Sequence, residues 1–427
     1  MTSTVTVAEG GARTRAHVIA AASIGNALEW FDLLIYGYFA VTISRLFFPA
    51  SDPTVSLLLA LGTFGASYLV RPLGAVVLGA YADRAGRKAS LTVSILLMMG
   101  GTLLMAVMPT YGAIGVLAPA GVLIARLLQG FSVGGEFGSG TSFLVEHGPD
   151  RKGFFASFQW AGQGLAAVLA SAFGVGLSAA LTQGQFEAWG WRIPYVFGLL
   201  IGPVGFYIRR RVTETPDFLA TEPVPAPVRA VVTEQTGRLL LAIGITIVSN
   251  SSSYLILYMP TYAIKQLGLS ATTGFLATLL GGLILTLASP VVGHWSDRVG
   301  RTPIMLVAAG LFLVTAYPAF VALTWLSSAA GVVLIACWLS LVKAGYSGVL
   351  PSQLAELFPT ATRGTGMALS YNVAATIFGG FAPFLATSLI ALTGDRHAPS
   401  FYLMATALVS LGSVLAVRRQ LRPRLPP

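Results

Sequence analysis

One short charged stretch is written twice in this chain. Gly79-Ala-Tyr-Ala-Asp83-Arg84-Ala-Gly86-Arg87-Lys88 returns as Gly293-His-Trp-Ser-Asp297-Arg298-Val-Gly300-Arg301-Thr302, with Asp83 and Asp297 half a chain apart. Each copy is a polar turn pinched between two long apolar runs. A second pair supports the repeat: Glu146-x-x-Pro149-x-Arg151-x-Gly153 against Glu356-x-x-Pro359-x-x-x-Arg363-Gly364. The chain therefore reads as two like-oriented halves. In a membrane, a parallel repeat of this kind is a transporter architecture.

The membrane is required by composition. The chain is 55% hydrophobic and 10% charged, with a mean hydropathy of +0.76, whereas soluble domains hold about 25% charged residues. No soluble fold hides that much apolar surface, so lipid must be the solvent. The apolar runs predict spans at roughly 17–40, 55–80, 89–109, 114–139, 153–180 and 192–210, then 239–262, 271–292, 303–324, 330–350, 364–390 and 399–418. The expected fold is an all-α membrane protein with twelve transmembrane helices in two six-helix bundles, residues 1–208 and 239–427. Between them 209–238, with Thr-Glu-Pro-Val-Pro-Ala-Pro at its centre, reads as a flexible cytoplasmic linker. The first apolar run is too long and too acidic for a cleaved signal peptide.

A formal net charge of +10 raises the question of nucleic acid, but the placement of the bases answers it. With the N-terminus inside, 19 of the 26 Lys and Arg fall in cytoplasmic segments. The positive-inside rule then sets a multi-pass chain in the cell (inner) membrane with both termini cytoplasmic. No nucleic-acid partner is needed. The lone Cys337 excludes an intrachain disulfide and reads as a small hydrophobe. The Gly130, Gly134 and Gly135 cluster lacks the Gly-Lys-Ser/Thr ending of a phosphate loop. With no metal-ligand cluster, nucleophile triad or cofactor loop, the sequence predicts no enzyme, no cofactor and no metal site.

Six charges lie inside the apolar runs: Glu29, Asp32, Arg71, Arg126, Glu136 and Lys343. Each costs roughly 2.5–3.5 kcal/mol at a helix centre, so each needs a reason. One reason is a polar pathway; the other is that they pair and merely hold the bundle. Glu29 and Asp32 stand three apart, on a stripe that includes Asn26. Two acids this close in low dielectric cannot both stay ionised cheaply, so one is expected to hold a proton. The four histidines lie at helix ends or beyond them, which leaves carboxylates as proton carriers. Arg126, with Gln129 one turn on, offers a fork for a carboxylate. Lys343 offers a second cation from the other half. Gln163, Tyr254, Tyr371 and Asn372 are polar positions that complete a cavity if they face it; each could instead be a helix–helix hydrogen bond. In the repeated turn, the aspartate can cap a neighbouring helix while arginines meet Glu146 and Glu356. This makes Asp83, Arg84, Arg87, Asp297, Arg298 and Arg301 gating candidates.

The motif Gly-x-x-x-Asp-Arg-x-Gly-Arg at 79–87 and 293–301 resembles the signature loop of the major facilitator superfamily. Within it, Gly25-Asn26-x-x-Glu29-x-Phe31-Asp32, Tyr68-Leu-Val-Arg71-Pro72-Leu-Gly74, Arg126-Leu-Leu-Gln129-Gly130, Trp191-Arg192-Ile-Pro194 and Ser370-Tyr371-Asn372 are similar to the metabolite:proton symporters, and most of all to the citrate/tricarballylate-proton symporters. Two positions depart from the pattern: Lys343 stands where a tyrosine is expected, and Thr302 where a base is expected. The resemblance implies a monomeric secondary transporter with alternating access. Arg126 and Lys343 would then hold substrate carboxylates, Glu29 and Asp32 would carry the proton, and the charged turns would lock the outward-open state. Other readings within the fold are a carrier for a dicarboxylate, shikimate, an aromatic acid or an osmolyte, or a drug effluxer. Two cations in the cavity suit a lipophilic drug cation poorly.

Overall fold

The computed structural model describes residues 23–85, 87–134, 136–146, 148–200, 202–205 and 227–421. Regular structure among them is entirely helical. In the first half, α1 covers 23–47 with a turn at Phe39, and α2 is Pro53–Leu69 continued by Arg71–Ala85. α3 is Arg87–Val107, α4 is Leu117–Val133 continued by Glu136–Glu146, α5 is Lys152–Ala180, and α6 is described over Ile193–Gly198 and 202–205. The second half repeats the order. α7 is Thr236–Leu257 and Met259–Leu267, α8 is Ala271–Val299, α9 is Arg301–Leu326, and α10 is Ala329–Ser347 and Leu350–Leu357. α11 is Arg363–Ala375, a π turn Thr376–Gly380 and Ala382–Thr393, and α12 is Ala398–Leu421.

Eight of the described helices are long and apolar enough to cross a bilayer unaided. Their outer faces expose Val291, Val314 and Leu334, where a soluble protein would put charge. Prolines explain the interruptions. Pro72, Pro260, Pro351 and Pro383 each lack the N–H that would bond the carbonyl four residues back. At Pro72 the carbonyl left open belongs to Tyr68, and it accepts from Thr376 Oγ1 of the other half at 2.8 Å. A helix break in one half thus becomes a hydrogen bond between halves.

The halves meet along two seams. α5 lies along α8, where Ser171 and Thr278 share a hydrogen bond of 2.7 Å. α2 and α4 lie along α11, where the Asn372 amide donates to the Gly134 carbonyl. Towards the end away from the charged turns, Phe39 and Tyr38 pack edge-on against Phe275, with ring centroids 5.6 and 6.5 Å apart. At the charged-turn end, Asp297 of α8 reaches α5. Among the described residues both ends are closed, so the conformation is occluded.

Two expectations need revision. The second charged turn is shorter than its sequence suggests. Asp297 and Arg298 still belong to α8, and the reversal is made at Gly300, whose φ of +93° a side chain would strain. The linker is also not flexible throughout. Pro227–Thr233 is a helix with Val231 fully buried, and Gln235 donates to Thr362 Oγ1 at 3.1 Å. Residues 209–226 lie outside the described residues.

Candidate functional site

The first half holds a chain of polar side chains on three helices, all of them sealed from solvent. Arg126 Nη1 on α4 donates to Gln129 Oε1 at 2.8 Å, one turn along the same helix. Gln129 Nε2 donates to Thr102 Oγ1 on α3 at 3.0 Å. The Thr102 hydroxyl donates to Asp32 Oδ2 on α1. Cation and carboxylate are thus joined through two neutral residues. The Arg126 guanidinium rests over the rings of Tyr36 and Phe64, 4.7 and 5.2 Å from their centroids.

What the chain leaves open matters as much. Arg126 Nε and Nη2 are buried without a hydrogen-bond partner, and so is Asp32 Oδ1. Nε and Nη2 form the side-on edge of the guanidinium, the edge that takes a carboxylate through two parallel bonds. Desolvated donors without partners are costly, and a carboxylate arriving at this edge would satisfy both of them. Glu29, one turn earlier on α1, is half-buried and has an interaction of its own.

A second cation sits between the halves. Lys343 Nζ on α10 donates to Gln163 Oε1 on α5 at 2.8 Å and lies 4.9 Å from the Trp160 ring centroid. Lys343 and Gln163, with Trp30, Tyr38, Tyr254 and Ser340, line a cavity of about 30 Å³. That admits water but no metabolite, as an occluded and collapsed site should.

The expected binding residues therefore divide. Lys343, Gln163 and Tyr254 line the cavity, while Arg126 and Gln129 belong to the Asp32 chain. Asn26 is engaged elsewhere: it exchanges hydrogen bonds with Gln159 of α5, donating to its carbonyl at 2.8 Å and accepting from its Nε2 at 3.1 Å. Tyr371 stacks on Phe137 at 3.8 Å, so it and Asn372 belong to the seam between halves rather than to the cavity wall. Thr102 was invisible in the sequence, because a lone threonine in Gly100-Gly101-Thr102-Leu-Leu usually bonds back to its own helix. Met98 O, 3.0 Å away on its own helix, competes with Asp32 for the one hydroxyl proton. Trp30 and Trp160 were equally unmarked.

At the charged-turn end, Asp297 caps a helix of the opposite half. Its Oδ1 accepts from Gly153 N at 2.8 Å and its Oδ2 from Phe154 N at 3.0 Å. The α5 N-terminus has no side-chain cap of its own. Arg301 bridges Asp297 and Glu356 at 3.1 and 3.2 Å. Glu146 has a partner of its own. The side chains of Asp83, Arg84, Arg87 and Glu136 lie outside the described residues. Among the described residues no group of His, Cys, Asp and Glu could hold a metal ion.

A sequence profile of the Major Facilitator Superfamily matches residues 19–383. The chain belongs to this superfamily. It is a membrane transporter, not an enzyme. It is 39% identical over 406 residues to the citrate-proton symporter of Klebsiella pneumoniae, covering 94% of this chain and 91% of that one. It is 34% identical over 424 residues to the proline/betaine transporter of Escherichia coli (strain K12), covering 95% and 84%. Among solved structures, the proton:xylose symporter XylE bound to 6-bromo-6-deoxy-D-glucose has the same fold. The TM-score is 0.78 at 16% identity, with 96% of each chain covered.

Proposed function

We propose that this protein imports a tricarboxylate such as citrate or tricarballylate, or a related dicarboxylate, together with protons. Arg126 carries the reading. Its free edge is an anion-binding fork, and its other edge leads through Gln129 and Thr102 to the buried carboxylate of Asp32. Filling the fork with a substrate carboxylate adds negative charge near Asp32 and so favours its protonated form. Proton and anion therefore enter together. Lys343 meets a second carboxylate from the other half, and Glu29 assists in proton uptake near the pathway. The similarity to a citrate-proton symporter supports the same assignment.

The two bundles, 1–208 and 239–427, rock about this site in the cell (inner) membrane, with both termini cytoplasmic and the protein acting as a monomer. Asp297, Arg298, Arg301 and Glu356, with Asp83, Arg84, Arg87 and Glu146 in the matching turn, act as the cytoplasmic latch.

A second reading has one observation in its favour. Trp30, Tyr38 and Tyr254 around the cavity would suit a quaternary ammonium, and a proline/betaine transporter is among the relatives. Lys343 among those rings opposes it by like-charge repulsion. Ligand-induced thermal stabilisation of purified protein decides between them. Citrate, tricarballylate or succinate should raise the melting temperature, and glycine betaine and proline should not. The reverse pattern overturns the carboxylate assignment.

A further inference from the structure

We propose that Arg71 is a third carboxylate-binding residue, placed between the cavity and the charged-turn end and covered in this conformation by a tyrosine pair. The proposal rests on the carboxylate reading above and extends it to a residue outside the Asp32 chain.

Arg71 is fully buried, and Nε, Nη1 and Nη2 all lack a hydrogen-bond partner. A buried guanidinium with every donor open is among the costliest groups a membrane protein can carry. In this conformation it is eased by ring faces: the Tyr68 centroid lies 3.7 Å away and that of Trp30 5.9 Å away. A purely structural arginine would be expected to fasten carbonyls or a carboxylate. This one fastens nothing with its nitrogens.

Its surroundings suit an anion. The Tyr371 hydroxyl, from the other half, is buried without a partner and lies within electrostatic reach of the guanidinium. Backbone packing fixes the depth. Gly130 packs on the Ser67 carbonyl and Gly134 on that of Arg71, so α2 and α4 run side by side in parallel. Arg71 is therefore level with residue 134, about two helical turns from Arg126 towards the charged-turn end.

The cover is a contact between halves. Tyr68 OH on α2 donates to Tyr254 OH on α7 at 2.7 Å. The two rings are seated against Gly380 and Gly379 of the π turn, where side chains would collide with them. Tyr254 and Trp30 also form the cavity wall. Opening of the charged-turn end pulls Tyr68 from Tyr254 and exposes Arg71 to an anion leaving the cavity. The ligand chemistry is a carboxylate held by the guanidinium fork, with the Tyr371 hydroxyl as a further donor.

The test is a citrate titration of melting temperature on detergent-purified wild type, Arg71→Gln and Arg71→Lys. The glutamine variant should be as stable as wild type or more so without citrate, since an uncompensated charge is gone. Its half-saturating citrate concentration should rise roughly tenfold or more, the loss expected for a charge-assisted hydrogen bond. The lysine variant, which keeps charge but not the fork, should fall between. A citrate midpoint equal to wild type in Arg71→Gln overturns the proposal. If the glutamine variant does not fold, a wild-type midpoint in Arg71→Lys does so. A wild type that responds to no carboxylate instead overturns the underlying reading, and that result is distinct from either.

Discussion

Asp297 of the second half supplies the N-terminal cap of the helix that begins at Gly153 in the first half, accepting both the Gly153 and the Phe154 N–H. A helix cap shared between bundles can exist only while that end is closed. The contact combines a cap with a charge at a helix N-terminus and stabilises the closed end by about 1–2 kcal/mol.

Asp297→Ala should therefore shift the population towards opening at the charged-turn end. A cysteine placed at Ser157, buried beside Gly293, in a Cys337→Ser background reports this. Its labelling rate should rise roughly 5- to 30-fold. Asp297→Asn, which keeps one acceptor, should show a smaller rise.

Thr102 is the middle of the path from Arg126 to Asp32. Thr102→Val removes the donor to Asp32 and the acceptor for Gln129 while keeping the shape. Gradient-driven uptake should fall roughly tenfold, since hydrogen bonds to charged groups contribute about 1.5–3 kcal/mol. Thr102→Ser should retain most of it. Equal uptake by the valine and serine variants would remove Thr102 from the path.

Lys343 and Arg126 should fail differently. Lys343→Gln leaves Gln163 an amide partner and removes a buried charge, so folding should hold while KM for the carboxylate rises about tenfold. Arg126→Gln strands Asp32 without its cation, so loss of binding should come with a lower melting temperature.

Gly380→Ala sets a methyl group into the Tyr68 ring. Overpacking of this kind costs about 1–3 kcal/mol. Because the collision is between halves, the cost should appear mainly as loss of the occluded form. Faster modification of cysteines in the seam, with helix content unchanged by circular dichroism, would show it.

The twelve spans were legible because lipid imposes a length and a hydropathy on each of them. The cap made by Asp297 was legible as well, because an aspartate beside glycines and arginines has few uses other than capping. The site was legible only as charges. Asp32, Arg126 and Lys343 stand out wherever an apolar run carries a cost, but nothing in spacing shows which way a helix faces. Asn26 and Asn372 thus looked like cavity residues and instead fasten Gln159 and Gly134. Thr102 and Trp160 gave no signal, since threonine and tryptophan are ordinary in membrane helices and matter here only through their neighbours on other helices.

The measurement that bears most directly on coupling uses proteoliposomes loaded with citrate and presented with labelled citrate outside. Counterflow is compared with uptake into empty vesicles under an inward proton gradient. Wild type should do both, Arg126→Ala should do neither, and Asp32→Asn, a fixed neutral stand-in for the protonated acid, should keep counterflow while losing gradient-driven accumulation. Gradient-driven accumulation by Asp32→Asn at the wild-type level would contradict the account, because the proton would then be carried elsewhere.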